Sequence, residues 1–193
     1  IGTGMGSSAA SGVAAAVAVN ALFDNPLKKN DPTFLQACMH GEFVACGAAH
    51  SGNVMPSLFG GLVFIFNSKT LEHTLVAPPD LFVVLISPDL TVTTREARRV
   101  LWESPYDIAL LIQKTQKLLK RNFHKKLPFV VNESACSSLI KSGGDIHVVQ
   151  DYLTAGLHVA YGFRIGNLEM IGKWLEKDHI VTSCRSKLIK GFS

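Results

Sequence analysis

The sequence is poor in charge and lacks any cysteine pattern typical of a disulfide framework or a zinc site. Only 18% of its 193 residues are charged and 47% are hydrophobic, which excludes a disordered or fibrous protein and allows a sizeable core. The formal charge of +4 is spread along the chain and gives no argument for nucleic-acid binding. Because the four cysteines are widely spaced, without a C-x-x-C pair, we expect reduced thiols and a cytoplasmic protein.

Long hydrophobic runs are also missing. The main apolar stretch, from Ala9 to Phe23, is interrupted by Asn20 and is too short to span a bilayer, so no membrane partner is expected. It predicts a fully enclosed helix from about Ser7 to Phe23. The chain begins without Met and without a basic segment, directly inside a loop motif. A signal peptide is therefore not supported, we expect the chain to begin within a longer protein, and organellar targeting is left open.

A loop rich in glycine and serine leads into this helix. Glycines at positions 2, 4 and 6 let the backbone approach a ligand closely, while Ser7 and Ser8 offer hydroxyls and a helix N-cap. The helix directs its free N–H groups at the same place, which favours an anion. The Walker A lysine, the Rossmann glycine spacing and the nucleophile elbow are all absent. A turn that merely caps a buried helix is the simpler alternative.

The remaining chain predicts an α+β order of elements. Asp31 and Pro32 give a cap and first residue for a second helix that carries Glu42 near its end, and Thr93 with Glu96 forms a capping box. The basic run from Lys114 to Lys126 is interpreted as a solvated helix face. We predict a polar loop at 48–57, strands at 62–66, 71–77 and 81–87, helices at 106–122, 148–163 and 168–176, and an irregular region at 123–142.

Several polar residues have the types that phosphoryl transfer requires, namely a magnesium ligand, a group that orients the acceptor hydroxyl, and cations. Glu42 precedes His50 by eight residues, and Asn53 follows three later. Arg98 and Arg185 can each fork onto a carboxylate or phosphate. Each residue also has a simpler interpretation: a solvated carboxylate for Glu42, a backbone-bonded histidine for His50, a turn residue for Asn53, and surface ion pairs for the two arginines.

Taken together, these segments resemble the GHMP kinases. The stretch from Gly4 to Ala10 is similar to the second motif of that family, with Met5 in place of leucine. Further similar segments are Gly41-Glu42, His50 to Ser57, Thr94 to Arg98, and Arg185 to Phe192, which match the homoserine kinase branch. Departures are Gly52 in place of an acidic residue, Lys190 in place of proline, and Thr182-Ser183 in place of glutamate-proline.

The resemblance implies the two-domain GHMP fold, with both domains incomplete. Residues 1–80 would be the C-terminal part of a ribosomal-protein-S5-like α/β domain that binds ATP. Residues 81–193 would begin a ferredoxin-like α+β domain with an insertion near 103–145. Because the family's first and third motifs are not in the sequence, we expect this segment alone to be inactive.

The resemblance also implies an ATP-dependent kinase that phosphorylates the side-chain hydroxyl of L-homoserine to O-phospho-L-homoserine in threonine biosynthesis. Asn53 cannot accept a proton usefully, so positioning would replace a strong base. The ATP phosphates would contact Gly2, Thr3, Gly4, Met5, Gly6, Ser7 and Ser8, and Mg²⁺ would bind Ser8 and Glu42. The implied catalytic residues are Asn53, Arg98 and Arg185, and the substrate-binding residues are His50, Asn53, Thr94, Arg98 and Arg185.

Two alternatives stay open from the sequence. One is another GHMP small-molecule kinase, of the mevalonate or sugar type. The other is a non-catalytic relative that binds nucleotide or amino acid. Homoserine and ATP are the expected small-molecule partners and nucleic acid is not, while a homodimer, the purpose of the insertion and feedback by threonine are left open.

Overall fold

The computed structural model describes residues 5–84, 92–129 and 131–189. The chain forms two compact units, residues 1–76 and residues 77–193, and each is described by itself. The predicted domain bounds at 1–80 and 81–193, and the predicted insertion at 103–145, stay predictions.

Unit 1 contains three helices and a β-hairpin: α1 (Ser7–Leu22), α2 (Pro32–Cys46), α3 (Ser51–Phe59), β1 (Leu62–Asn67) and β2 (Glu72–Val76). The predicted start of α2 is confirmed. The Asp31 side chain accepts hydrogen bonds from the backbone N–H groups of Thr33 at 2.8 Å and Phe34 at 3.4 Å, and Pro32 is the first helical residue. Gly47 ends α2 in the left-handed conformation, which a glycine adopts without strain.

The hairpin confirms the first two predicted strands. β1 and β2 pair antiparallel, with Leu62 opposite Val76 and Ile65 opposite His73. Asn67 closes the turn, because its side chain accepts from the backbone N–H of Lys69 at 2.9 Å. The core of the unit is formed by buried residues of all three helices: Ala9, Val13, Phe34, Leu35, Cys38, Val54, Met55 and Leu58.

Two predictions for unit 1 are wrong. α1 is not fully enclosed, because α2 and α3 cover one of its sides and leave Val19 and Leu22 exposed. The predicted polar loop is wrong from residue 51 onward, where the chain forms α3. Pro56 lies inside this helix and cannot donate to the preceding turn. Burial of Val54, Met55 and Leu58 against the other helices outweighs that loss.

Unit 2 is helical in its described part. It contains α4 (Thr94–Trp102), α5 (Ile108–Asn122), α6 (Ile146–Ile165), α7 (Leu168–Leu175) and α8 (Val181–Arg185), with 3₁₀ turns at Glu133–Ala135, Ser137–Leu139 and Ser186–Leu188. α6 packs against both α5 and α7. The core includes Tyr106, Leu111, Val131, Cys136, Leu139, Val149, Leu153, Leu157 and Ile180, so the segment predicted as an insertion supplies several core residues.

The capping box that opens α4 is confirmed. The Glu96 carboxylate accepts from the Thr93 backbone N–H at 3.1 Å, while the Thr93 hydroxyl oxygen accepts from the Glu96 N–H at 3.2 Å. The predicted helices at 106–122, 148–163 and 168–176 are confirmed as α5, α6 and α7, whereas α8 was not predicted. Of the predicted strand at 81–87, residues 81–84 lie outside any strand and the rest lie outside the described residues.

The α+β class is confirmed by these helices and the hairpin. Within the part of the chain that the structure describes, no helix is both long enough and apolar enough to cross a membrane.

Candidate active site

The glycine–serine loop ends at the start of α1. Gly6 is the N-cap, with φ 68° and ψ 26°, and no described side chain caps the helix. The expectation of a serine cap is therefore wrong, since Ser7 is already helical. Helix geometry leaves the N–H groups of Ser7, Ser8 and Ala9 without an intrahelical acceptor, and they point toward the loop. The other predicted phosphate ligands of the loop, Gly2, Thr3 and Gly4, lie outside the described residues.

A contact between two glycines brings α2 against the first half of α1. A Cβ built on Gly12 would lie 3.3 Å from the carbonyl carbon of Gly41 and 3.5 Å from the backbone nitrogen of Glu42. Ser8 precedes Gly12 by one helical turn, about 6 Å along the axis, and lies on the same face. The two predicted magnesium ligands, Ser8 and Glu42, are therefore carried by adjoining parts of α1 and α2.

Glu42 is a buried carboxylate that is bonded to His50. Its residue is 1% exposed, and Nδ1 of His50 lies 2.8 Å from its Oε1, with the ring N–H donating. His50 is also the N-cap of α3, where its carbonyl accepts from the N–H of Asn53 at 3.0 Å. The structure thus joins the end of α2 to the start of α3 through predicted site residues.

Asn53 lies directly against the glycine loop. A Cβ built on Gly6 would lie 3.4 Å from Cγ of Asn53 and 3.6 Å from its Oδ1. Both residues line an open cavity of about 300 Å³, together with Met5, Gly52, Pro56 and Ser57. The left-handed Gly6 therefore lets the carboxamide lie at van der Waals distance from a helix N-terminus, and any other residue at position 6 would be strained by the positive φ.

The oxygen donors at the α1–α2 contact are suited to magnesium. Mg²⁺ prefers oxygen ligands and usually binds one or two protein groups, with phosphates and water completing its shell. A carboxylate such as that of Glu42 can accept several contacts, and Ser8 adds a hydroxyl. Among the described residues, no group of three or more His, Cys, Asp or Glu side chains could hold a metal ion, so any magnesium here needs a second source of ligands.

In unit 2 the structure connects Arg185 with α4. Nε of Arg185 donates to the carbonyl of Ala97 at 3.4 Å, and Ala97 precedes Arg98 in the sequence. The two predicted arginines therefore belong to adjoining backbone segments of this unit. The side chains of Thr94 and Arg98 lie outside what the structure describes.

Two features of the site escaped the sequence interpretation. The helical conformation of 51–59 presents Gly52, Asn53 and Pro56 to one cavity, whereas a loop would not fix their spacing. Asp178 was given no role, although its carboxylate caps the helix that carries Arg185. The local signal for the cap of α8 was weak: an aspartate, Asp178, stands three residues before Val181, the first residue of that helix.

The chain is similar in sequence to known proteins. Residues 1–61 match the family described as GHMP kinases N terminal domain. The chain is 29% identical over 191 residues to a protein named homoserine kinase from Methanococcus vannielii, covering 99% of this chain and 49% of that protein. It is 34% identical over 154 residues to a protein of the same name from Methanocella arvoryzae, covering 75% of this chain and 50% of that protein.

A solved structure agrees with the sequence relatives. The crystal structure of homoserine kinase from Cytophaga hutchinsonii superposes with a TM-score of 0.66 at 28% identity, covering 100% of this chain and 48% of the other. The chain thus spans about half the length of the curated relatives it matches.

Proposed function

We propose that this chain is part of a GHMP kinase and that the full-length protein transfers the γ-phosphoryl group of ATP to the side-chain hydroxyl of L-homoserine. The observation that carries the proposal is the contact between Asn53 and Gly6. This contact supports the proposal because the Asn53 carboxamide, which would orient the acceptor hydroxyl, lines the same cavity as a helix N-terminus that suits a phosphate. The homoserine kinases among the relatives support the choice of acceptor.

In this reaction the substrate oxygen bonds to the γ-phosphorus while the bond to the bridging oxygen breaks. ADP leaves and the hydroxyl proton passes to solvent. The backbone N–H groups from Gly6 to Ala9 would hold phosphate oxygens, and Asn53 would hold the acceptor hydroxyl in line. Since a carboxamide is no base near pH 7, the chain would accelerate transfer through positioning and charge stabilisation.

Mg²⁺ is proposed at Ser8 and Glu42, where it would offset negative charge on the phosphates. The hydrogen bond from His50 fixes one oxygen of Glu42 and would thereby orient the carboxylate. Arg98 and Arg185 are proposed to bind the substrate carboxylate or to offset developing charge, with Thr94 beside them. Their assignment is supported by the adjoining backbone positions of Ala97 and Arg185 in unit 2.

A coupled ADP assay on the full-length protein tests the proposal, with homoserine, mevalonate, galactose and shikimate as acceptors. We expect homoserine to be strongly preferred. Asn53→Ala should lower kcat about 100-fold or more while changing the KM for ATP little, because a positioning contact in the transition state is lost. Asn30→Ala, in an exposed turn before α2, is the matched control and should retain wild-type rates.

Two results would contradict the proposal. Preference for a different alcohol would reject homoserine as the acceptor and retain a GHMP small-molecule kinase. Binding of ATP or homoserine without any phosphoryl transfer, unchanged by Asn53→Ala, would instead indicate a binding protein.

A further inference from the structure

The helix that carries Arg185 is too short to be stable alone. α8 spans five residues, Val181–Arg185, and forming a first helical turn costs more free energy than so few hydrogen bonds return. Its persistence therefore depends on contacts at its ends. The position of the Arg185 side chain depends on the same contacts, because Arg185 is the last residue of the helix.

Asp178 supplies the contacts at the start of α8. One carboxylate oxygen accepts from the N–H of Val181 at 2.8 Å and of Ile180 at 3.3 Å. The other accepts from the N–H of Thr182 at 3.2 Å and from its hydroxyl at 3.0 Å. Ile180 itself is 1% exposed in the core of unit 2. Both oxygens of Asp178 thus hold the first turn of α8 onto the core.

The hydroxyl of Thr182 is a side-chain partner of Asp178. The segment resembling the family motif has Thr182-Ser183 where glutamate-proline is usual, and this threonine gives Asp178 its side-chain partner. At the other end of α8, Arg185 reaches the carbonyl of Ala97.

The charges of Asp178 and Arg185 both affect the phenol of Tyr152. Burial raises the pKa of the Tyr152 phenol, the Asp178 carboxylate raises it further, and the Arg185 guanidinium lowers it. Each charge therefore acts on the same phenol, which lies within the span of α6.

We propose that Asp178, clamped by Thr182, is a positioning residue for Arg185 in acceptor binding. The inference rests on the proposed function, since it assigns Arg185 a carboxylate to bind. Asp178 acts through the helix: it fixes the first turn of α8, and the guanidinium at the last turn is held where it can fork onto an anion. Loss of the clamp frees the five residues and removes that preorganisation.

Steady-state kinetics of the full-length protein test the clamp. Asp178→Ala should raise the KM for homoserine about tenfold or more and leave the KM for ATP within about twofold, since the lost cap affects the acceptor side. Asp178→Asn keeps one acceptor oxygen for the N–H groups of Ile180 and Val181 but loses the acceptor for Thr182, so it should fall between wild type and Asp178→Ala. Thr182→Val removes only the hydroxyl hydrogen bond and should stay within about threefold of wild type.

A double-mutant cycle separates positioning from a general structural role. In an Arg185→Ala background, Asp178→Ala should change the homoserine KM by less than about twofold, because both substitutions remove the same interaction. An undiminished effect in that background would overturn the proposal. Equal losses for homoserine and ATP would overturn it as well.

Proteolysis tests whether Asp178 holds α8 in place, and it needs no activity measurement. Trypsin cleavage after Arg185, followed by mass spectrometry, should be clearly faster in Asp178→Ala than in Asp178→Asn. If no variant phosphorylates homoserine, the proposed function fails, and this cleavage difference still decides whether Asp178 fixes α8. Equal cleavage rates would overturn the positioning role even if homoserine is the substrate.

Discussion

Replacing Gly12 by alanine tests whether the contact between α1 and α2 sets the position of Glu42. The new Cβ would lie 3.3 Å from the carbonyl carbon of Gly41 and 3.5 Å from the backbone nitrogen of Glu42. Backbone atoms cannot rotate away as a flexible side chain can, so the helices must separate by a few tenths of an ångström. Such overpacking costs about 1–3 kcal/mol.

The same substitution also has a favourable effect. Alanine in a helix interior is about 1 kcal/mol better than glycine. We therefore expect Gly12→Ala to destabilise unit 1 by about 0–2 kcal/mol. Gly52→Ala is the matched control within the same unit, because nothing lies within 4 Å of a Cβ there. It should stabilise by up to about 1 kcal/mol.

Hydrogen exchange of the α2 amides is the suitable assay. Both tryptophans of the sequence, Trp102 and Trp174, lie in unit 2, so their fluorescence does not report on α2. Gly12→Ala should lower the protection of α2 amides relative to Gly52→Ala and should raise the Mg²⁺ concentration needed for half-maximal activity. Protection in Gly12→Ala equal to or above that in Gly52→Ala would refute the reasoning.

Two further predictions follow from perturbed pKa values. Burial raises the pKa of the Cys38 and Cys136 thiols, so both should react slowly with a thiol reagent at pH 8. In a Cys46→Ser background, the reagent should modify the partly exposed Cys184 first and the two buried cysteines only on unfolding. Equal rates for all three cysteines would contradict this. Hydrogen bonds from Thr93 hold the pKa of Glu96 below its usual range, so the capping box stabilises α4 at neutral pH and loses this effect as the pH falls through the lowered pKa. Hydrogen exchange of α4 should therefore show a larger difference between wild type and Thr93→Ala at pH 7 than near pH 3, where only the cap from the Thr93 hydroxyl remains, and a constant difference would contradict it.

Local signals in the sequence were sufficient for the starts of α2 and α4. Asp31 with Pro32, and Thr93 with Glu96, satisfy backbone donors within three residues, so their pattern is complete before any tertiary contact forms. α3 could not be predicted in this way. Its proline and glycine disfavour a helix, and the burial that compensates comes from residues on other helices.

The sequence likewise could not predict which residues of α1 are exposed. An apolar helix indicates that its faces can be buried, but the number of elements that pack on it is a property of the assembled unit. Here α2 and α3 pack on it, and Leu22 is 81% exposed. The residue types of the proposed site could be selected from the sequence, because phosphate and magnesium chemistry needs glycine, serine and a carboxylate, and their roles stay predictions. Their mutual distances were not.

The distances in unit 1 depend on two glycines of the same helix and its cap. Gly6 takes a positive φ with the side chain of Asn53 at van der Waals distance, and Gly12 accepts the backbone of α2, so a residue other than glycine would be strained at position 6 and would push α2 away at position 12. The proposed acceptor-orienting residue, Asn53, and the proposed metal ligand, Glu42, come from separate helices, and both pack near the first two turns of α1. Since those turns also present the free N–H groups that suit phosphate, α1 acts as the common frame for all three groups. The short distances between groups far apart in the sequence therefore follow from where α1 lacks side chains.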